Sequence, residues 1–190
     1  MIVGILLAAG GATRFGSQKL VAPFRGAPLI RHAAIRLRTV ADQVIAVVGN
    51  DAEVVRTVLD GGGLTIVENP DWATGLSSSL KCGVAAAPPE TAAVIVALGD
   101  QPEIEIDLMR SLITAWEITG MPIVTARYRG LRAPPVLLAR EVFADVAELS
   151  GDIGAKALME RFPGRISHID VDAPIPYDVD TREDLAERDR

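Results

Sequence analysis

One loop near the start of the chain combines the residue types that hold a polyphosphate. Ile2-Val3-Gly4-Ile5-Leu6-Leu7 is an apolar, strand-like run that opens into Ala8-Ala9-Gly10-Gly11-Ala12-Thr13-Arg14-Phe15-Gly16-Ser17-Gln18-Lys19-Leu20. Small residues let the backbone approach a ligand closely, and successive N–H groups turned to one side make an anion-binding nest. Arg14 and, five residues later, Lys19 add the cations that a triphosphate needs beyond N–H donors. The loop is neither of the two common phosphate loops, having no G-x-x-x-x-G-K-[ST] and no G-x-G-x-x-G that opens a helix. Its plain reading is a strand-to-helix turn with two solvated cations.

Two carboxylates stand where they could serve such a loop. Asp100 closes the apolar run Val94-Ile95-Val96-Ala97-Leu98 within Gly99-Asp100-Gln101-Pro102. A hard oxygen ligand there suits Mg²⁺, which binds one or two carboxylates together with substrate phosphates and keeps several waters. Asp also favours turns, so a role as a turn residue before Pro102 fits as well. Asp180 lies in Tyr177-Asp178-Val179-Asp180-Thr181-Arg182-Glu183-Asp184-Leu185. There Thr181 and Asp184 have capping-box spacing, and Asp180 itself fits a helix cap.

The elements that must position these groups alternate along the chain. Strands are expected at residues 2–7, Val44 to Val48, Leu64 to Val67, Ala92 to Leu98, Pro122 to Ala126 and Ile166 to Val171. Helices are expected from Pro28 to about Thr39, Asp51 to Leu59, Gly75 to Ala87, Ile106 to Thr119, from about Arg140, from Gly154 to Phe162 and from Thr181 to Arg188. Pro134 to Leu138 reads as a short extended segment. This alternation predicts a three-layer α/β/α, Rossmann-like fold on a mostly parallel sheet with right-handed crossovers. Ligands in such sheets bind at the carboxyl ends of the strands, where the first loop and Asp100 both fall.

A chain of 190 residues fits a single domain, residues 1–190, and no linker or internal repeat is visible. Hydrophobic content of 49% with 4% aromatics describes a core of Val, Ile, Leu and Ala, as in buried parallel sheets. A net charge of −6 argues against non-specific nucleic-acid binding. The lone Cys82 excludes an intrachain disulfide and a cysteine zinc cluster. No apolar run reaches the roughly 20 residues that span a bilayer, and no signal peptide is expected, so the expected compartment is the cytoplasm. Arg31, Arg36 and Arg38 read as a solvated helix face. Arg127, Arg129 and Arg132 are placed in a loop after a strand, as candidates for an anionic substrate. His32 and His168 show no metal or triad spacing, and Trp72 and Trp116 read as packing residues.

Several motifs recur in one order: L-A-A-G…R-F-G-x-x-K, then G-A-P-L-I, Asn69-Pro70-Asp71-Trp72…Gly75-Leu76-Ser77-Ser78-Ser79-Leu80, Gly99-Asp100-Gln101-Pro102, Leu149-Ser150-Gly151-Asp152-Ile153-Gly154-Ala155 and Asp178-Val179-Asp180-Thr181. Together they resemble the molybdopterin-guanine-dinucleotide-type nucleotidyltransferases, and within that group the molybdenum cofactor cytidylyltransferases. The narrower resemblance rests on Ala9, where guanylyl enzymes usually carry glycine, and on Gln101. It implies a GT-A-like nucleotidyltransferase fold and transfer of CMP from CTP to the phosphate of molybdopterin, with release of pyrophosphate. By resemblance, Leu7, Ala8, Ala9, Gly10 and Gly11 meet the nucleotide through the loop, and Arg14 and Lys19 hold the triphosphate and act in catalysis with Asp100. Asn69, Gly75 and Ser79 line the base and ribose pocket, although a polar first helical turn explains the serines equally well. Asp100 and Asp180 hold Mg²⁺. Alternatives of the same chemistry are a guanylyltransferase using GTP and a sugar-phosphate nucleotidyltransferase. A non-catalytic chaperone serving a molybdenum hydroxylase partner is a third. Arg132-Ala133-Pro134-Pro135 departs from the family's usual G-H-P-V at the wall where a second substrate would lie.

Overall fold

A computed structural model describes residues 1–11 and 15–188. In chain order the elements are β1 (Ile2–Ala8), β2 (Pro23–Phe24), β3 (Ala27–Pro28), α1 (Leu29–Arg38), β4 (Gln43–Val48), α2 (Ala52–Leu59), β5 (Thr65–Glu68), α3 (Leu76–Ala85), β6 (Ala93–Leu98) and α4 (Ile106–Thr119). They continue with β7 (Ile123–Tyr128), β8 (Leu131–Ala139), α5 (Phe143–Ala147), α6 (Ala155–Arg161), β9 (Ile166–Val171) and α7 (Arg182–Arg188). Seven strands form one sheet in the order β5-β4-β1-β6-β8-β7-β9, and β2 and β3 pair as a separate ribbon. The pairs β5–β4, β4–β1, β1–β6 and β7–β9 are parallel, and β8 runs antiparallel to both neighbours.

Helices cover both faces of this sheet, so its central strands read as continuous apolar runs. Successive residues of β1 serve opposite faces: Leu6 and Ala8 pack with α1 and α2, while Ile5 and Leu7 pack with α3 and α5. Helix α1 buries Leu29, Ile30, Ala33, Ala34 and Leu37, an apolar stripe of helical period. It lies so close to β1 that a Cβ on Gly4 would stand 2.6 Å from Leu37 Cγ. Its arginines do more than solvate a face. Arg31 donates to Val58 O at 2.5 Å, Arg36 to Ile104 O at 3.2 Å and Arg38 to Gly62 O at 2.6 Å, clasping neighbouring segments.

The sequence reading needs correction at β8. Pro134 and Pro135 made the segment look short, yet the strand runs from Leu131 to Ala139. The register explains how prolines are tolerated: Thr125 pairs with Val136, but Ala126 pairs with Ala133, so both prolines fall in a bulge where the ladder asks for no N–H. Arg127, Arg129 and Arg132 consequently do not sit in a loop after a strand. Arg127 lies in β7, Arg132 opposite it in β8, and Arg129 in the tight turn between them.

Tyr128 ends β7 with its ring buried, and its hydroxyl donates to Pro134 O at 3.3 Å. Burial, reinforced by Glu105, pushes its phenol up to about 12. A pKa raised in the folded state gives a contribution that is whole below the unfolded value near 10 and is lost as pH rises towards 12. Stability is therefore expected to fall by roughly 2–3 kcal/mol across that window. Tyr128→Phe should flatten this limb in denaturant titrations between pH 9 and 12; an unchanged slope would assign it to another group.

Candidate functional site

The carboxyl ends of β1 and β6 open onto a cleft of about 520 Å³. Leu7, Ala9, Gly10 and Gly11 form one wall, Leu98 and Asp100 another, and Trp72, Gly75, Leu76, Ser79 and Asp152 the third. Gly11 lies against the indole, an added Cβ there standing 3.5 Å from the ring of Trp72. Backbone bonds fix the floor: Gly99 N donates to Leu7 O at 2.9 Å, and Asn50 N to Ala9 O at 3.0 Å.

At the edge of this cleft three charges meet from far-separated parts of the chain. Lys19 Nζ donates to Asp100 Oδ2 and to Asp180 Oδ1, 2.8 Å in each case, across sequence separations of 81 and 161 residues. The ammonium is nearly buried, which by itself would lower its pKa; the charges and hydrogen bonds of Asp100 and Asp180 outweigh that, and the pKa is raised. Lys19 opens a short 3₁₀ turn, Lys19–Val21, whose N-cap Gln18 bonds to Leu20 N and to Asn50 O. Asp178 belongs to the same acidic corner: the protein around it and the neighbouring Asp100 raise its carboxyl, while Gln101 Nε2 donates to it at 2.8 Å.

Asp180 reaches this point because Val179 is a knob. The segment is extended, so adjacent side chains point opposite ways. Val179 is fully buried among Phe15, Phe24 and Leu29, and its N–H donates to Asp100 O at 3.1 Å. Behind it Thr181 and Asp184 form the capping box: Thr181 N donates to Asp184 Oδ2 at 2.7 Å and Asp184 N to Thr181 Oγ1 at 3.1 Å. Asp180 is thus spared from capping, and its side chain faces Lys19. Val179→Ala should cost about 1–3 kcal/mol by leaving a cavity, and it should also weaken metal and nucleotide binding. Calorimetry of that variant with unchanged ligand affinity would show that the knob does not position Asp180.

The third wall is a clasp between two motifs. Leu76 N donates to Asp152 Oδ1 at 3.0 Å, Ser77 N to Gly151 O at 3.1 Å, and Ser77 Oγ both donates to Ser150 O and accepts from Gly154 N at 3.2 Å. These bonds satisfy N-terminal donors and the first-turn hydroxyl of α3. Gly75 has φ of +114°, and a Cβ there would stand 2.6 Å from the backbone of Gly151, so only glycine fits the clasp.

Of the residues singled out in the sequence, Leu7, Ala9, Gly10, Gly11, Gly75, Ser79 and Asp100 line one cleft, and Lys19 and Asp180 join Asp100 at its edge. Ala8 points into the α1 side of the core. Asn69 is not a wall residue: it is buried, donates to Ser78 Oγ and Ser79 Oγ, and receives Asp71 N, which braces the wall from behind. Arg14 lies outside the described residues. Trp72, read as packing, forms part of the wall, and Asp152 was missed because its motif resembled a simple helix start. Nucleotide binding is therefore expected to change the fluorescence of Trp72. The change should survive Trp116→Phe and vanish in Trp72→Phe; persistence in Trp72→Phe would move the ligand away from this wall.

A family model described as a MobA-like NTP transferase domain matches residues 4–168. The chain belongs to that family. It is a MobA-like nucleotidyltransferase, and its fold is that of solved nucleotidyltransferases. Over 197 aligned positions it is 32% identical to the nicotine blue oxidoreductase of Paenarthrobacter nicotinovorans, covering 97% of this chain and 94% of that one. It is 26% identical to the molybdenum cofactor cytidylyltransferase of Escherichia coli, covering 72% of this chain and 69% of the relative. Among solved structures, Rv0371c of Mycobacterium tuberculosis in complex with manganese superposes with a TM-score of 0.84 at 28% identity, covering 98% of this chain and 97% of that one. Among the described residues, no helix of this MobA-like nucleotidyltransferase is long and apolar enough to cross a membrane.

Proposed function

We propose that the chain transfers CMP from CTP to a phosphate of an acceptor, with Mg²⁺ held by Asp100 and Asp180. The observation that carries this reading is the Lys19–Asp100–Asp180 cluster at the edge of a glycine-lined cleft. The residues fit a divalent ion: two hard carboxylates from separate elements already converge on one point, where the Lys19 ammonium meets both. When bound, such an ion supplies neutralisation of charge on the reacting phosphate.

In the reaction proposed, an acceptor phosphate oxygen attacks the α-phosphorus of CTP, the bond to the bridging oxygen of the β-phosphate breaks, and pyrophosphate leaves. A phosphate nucleophile is already ionised near neutral pH, so no general base is required. The protein's part is positioning and charge stabilisation. Gly10 and Gly11 give the nucleotide close backbone approach, and Trp72 offers a flat face beside them. Lys19, released from the carboxylates, and Arg14 stabilise the departing pyrophosphate. Molybdopterin is the acceptor suggested by the similarity to the cytidylyltransferase of Escherichia coli, and the cytoplasm is the compartment proposed. Pyrophosphate release from CTP, GTP, UTP and ATP with Mg²⁺ tests the reading. CTP should be preferred over GTP by at least ~10-fold in kcat/KM, since ~1.4 kcal/mol suffices; equal use or a preference for GTP would sink the cytidylyl assignment. A second reading, an oxidation or reduction carried out in the same cleft, is suggested by the 32% identical relative whose name is an oxidoreductase. Oxidation of NADH or NADPH on addition of an acceptor dye, with no pyrophosphate released, would select it.

A further inference from the structure

Among the described residues, two charged side chains line the nucleotide cleft, Asp100 and Asp152. Asp100 is engaged by Lys19 at the edge where phosphates and metal would collect. Asp152 takes no part in that cluster. Among the described residues its carboxylate makes one bond, Oδ1 accepting from Leu76 N at 3.0 Å. The backbone around it is pinned: a Cβ on Gly75 would stand 2.8 Å from Asp152 N, and Ser77 N donates to Gly151 O at 3.1 Å. With Oδ1 fixed on α3, Oδ2 remains as an acceptor on an exposed residue of the cleft wall.

A carboxylate accepts hydrogen bonds and repels phosphates. The triphosphate therefore belongs with Lys19, and the part of the nucleotide that faces Asp152 must bring a donor. A base with an exocyclic amine does so. Cytosine presents an N4 amine at the position where uracil presents the O4 oxygen. Capping α3 does not by itself call for the charge, because an amide oxygen would accept from Leu76 N equally well.

We infer that Asp152 is a base-reading side chain of this cleft, accepting from the 4-amino group of cytosine and turning away uracil, whose O4 would face an anion. The inference rests on the nucleotidyl-transfer reading and adds a specificity to it, amine-bearing bases over uracil. A site built to bond an N–H rejects the analogue without it far more strongly than a pocket rejects a small change of size. The reason is that its polar group is left unpaired.

Isothermal titration with each nucleotide and Mg²⁺, no acceptor present, tests it. The unaltered protein should bind CTP at least ~100-fold more tightly than UTP. It should also bind CTP at least ~10-fold more tightly than the triphosphate of the pyrimidin-2-one nucleoside, which lacks only the amine. Asp152→Asn keeps an oxygen for Leu76 N and puts an amide N–H where Oδ2 stood, a donor that suits O4 of uracil. This variant should weaken CTP at least ~10-fold and tighten UTP, so that the preference falls below about tenfold or reverses. A CTP-to-UTP ratio within about twofold of wild type in Asp152→Asn overturns the inference, as does an equal loss for both nucleotides, the result that a ribose contact or a purely structural clasp would give. Equal binding of CTP and the amine-free analogue by the unaltered protein overturns it without any variant. Binding of none of CTP, GTP, UTP and ATP overturns the nucleotidyl reading itself and the inference with it. GTP bound more tightly than CTP, with the gap between CTP and UTP present and collapsing in Asp152→Asn, corrects the cytidylyl assignment and supports Asp152 as the reader.

Discussion

Asp100→Asn is expected to fold normally and to lose turnover by roughly 10²–10³-fold, the scale seen when one preorganised electrostatic partner is removed from a transition state. The substitution keeps the shape of the side chain and removes its charge. The backbone bond from Val179 N to Asp100 O does not involve the side chain, so the docking of the 178–180 segment should survive. The loss should therefore appear in kcat measured at saturating CTP, with melting temperature little changed. Raising Mg²⁺ should recover only part of the rate, since one hard ligand of a two-carboxylate site is gone. Turnover within tenfold of wild type at saturating Mg²⁺ would remove Asp100 from the reaction.

Lys19→Ala should split two quantities that usually move together. In the structure the Lys19 ammonium occupies the point between Asp100 and Asp180, 2.8 Å from each. A divalent ion must displace it. Removing the ammonium takes away a competitor for the Asp100 and Asp180 carboxylates, and Mn²⁺ affinity in the absence of nucleotide should rise by about 10-fold, some 1.4 kcal/mol. Turnover should fall in the same variant, by roughly 10–100-fold, because a cation matched to the leaving pyrophosphate has been lost. Isothermal titration with Mn²⁺ alone, set beside pyrophosphate release, reads both signs. If metal affinity falls together with turnover, Lys19 supports the metal site rather than competing for it.

Much of this was legible in the sequence because it is local. The apolar runs that became β1, β4 and β6 are bounded by turn residues, and α4 and β9 have the bounds that periodicity gives them. The loop after β1 and the carboxylate after β6 lie at the same sheet edge as a consequence of parallel topology. What could not be read were arrangements decided by a partner distant in sequence. The extent of β8 depends on a bulge against β7 that absorbs Pro134 and Pro135, and proline chemistry alone argues for a shorter segment. The roles of Ser77 and Asp152 emerge only when two loops 75 or so positions apart are brought together, where each supplies the bonds that the other lacks. Asn69 has the residue type of a base-reading side chain, yet its amide is spent on Ser78 and Ser79.

The Val179 knob also bears on the order in which the molecule assembles. Ribosomal synthesis lets the early strands and their helices pack first, whereas closing a loop of more than 160 residues brings an entropic cost repaid only by a few late contacts. Those contacts include Val179 in its small nest, the main-chain bond to Asp100, the Lys19–Asp180 pair, the Gln101–Asp178 bond and the Arg188–Glu103 pair. During translation the sheet can therefore be in place while its acidic corner still lacks its second carboxylate. Competence for chemistry arrives with a final latch at the end of the chain, and hydrogen exchange should find that latch opening before the central strands beneath it.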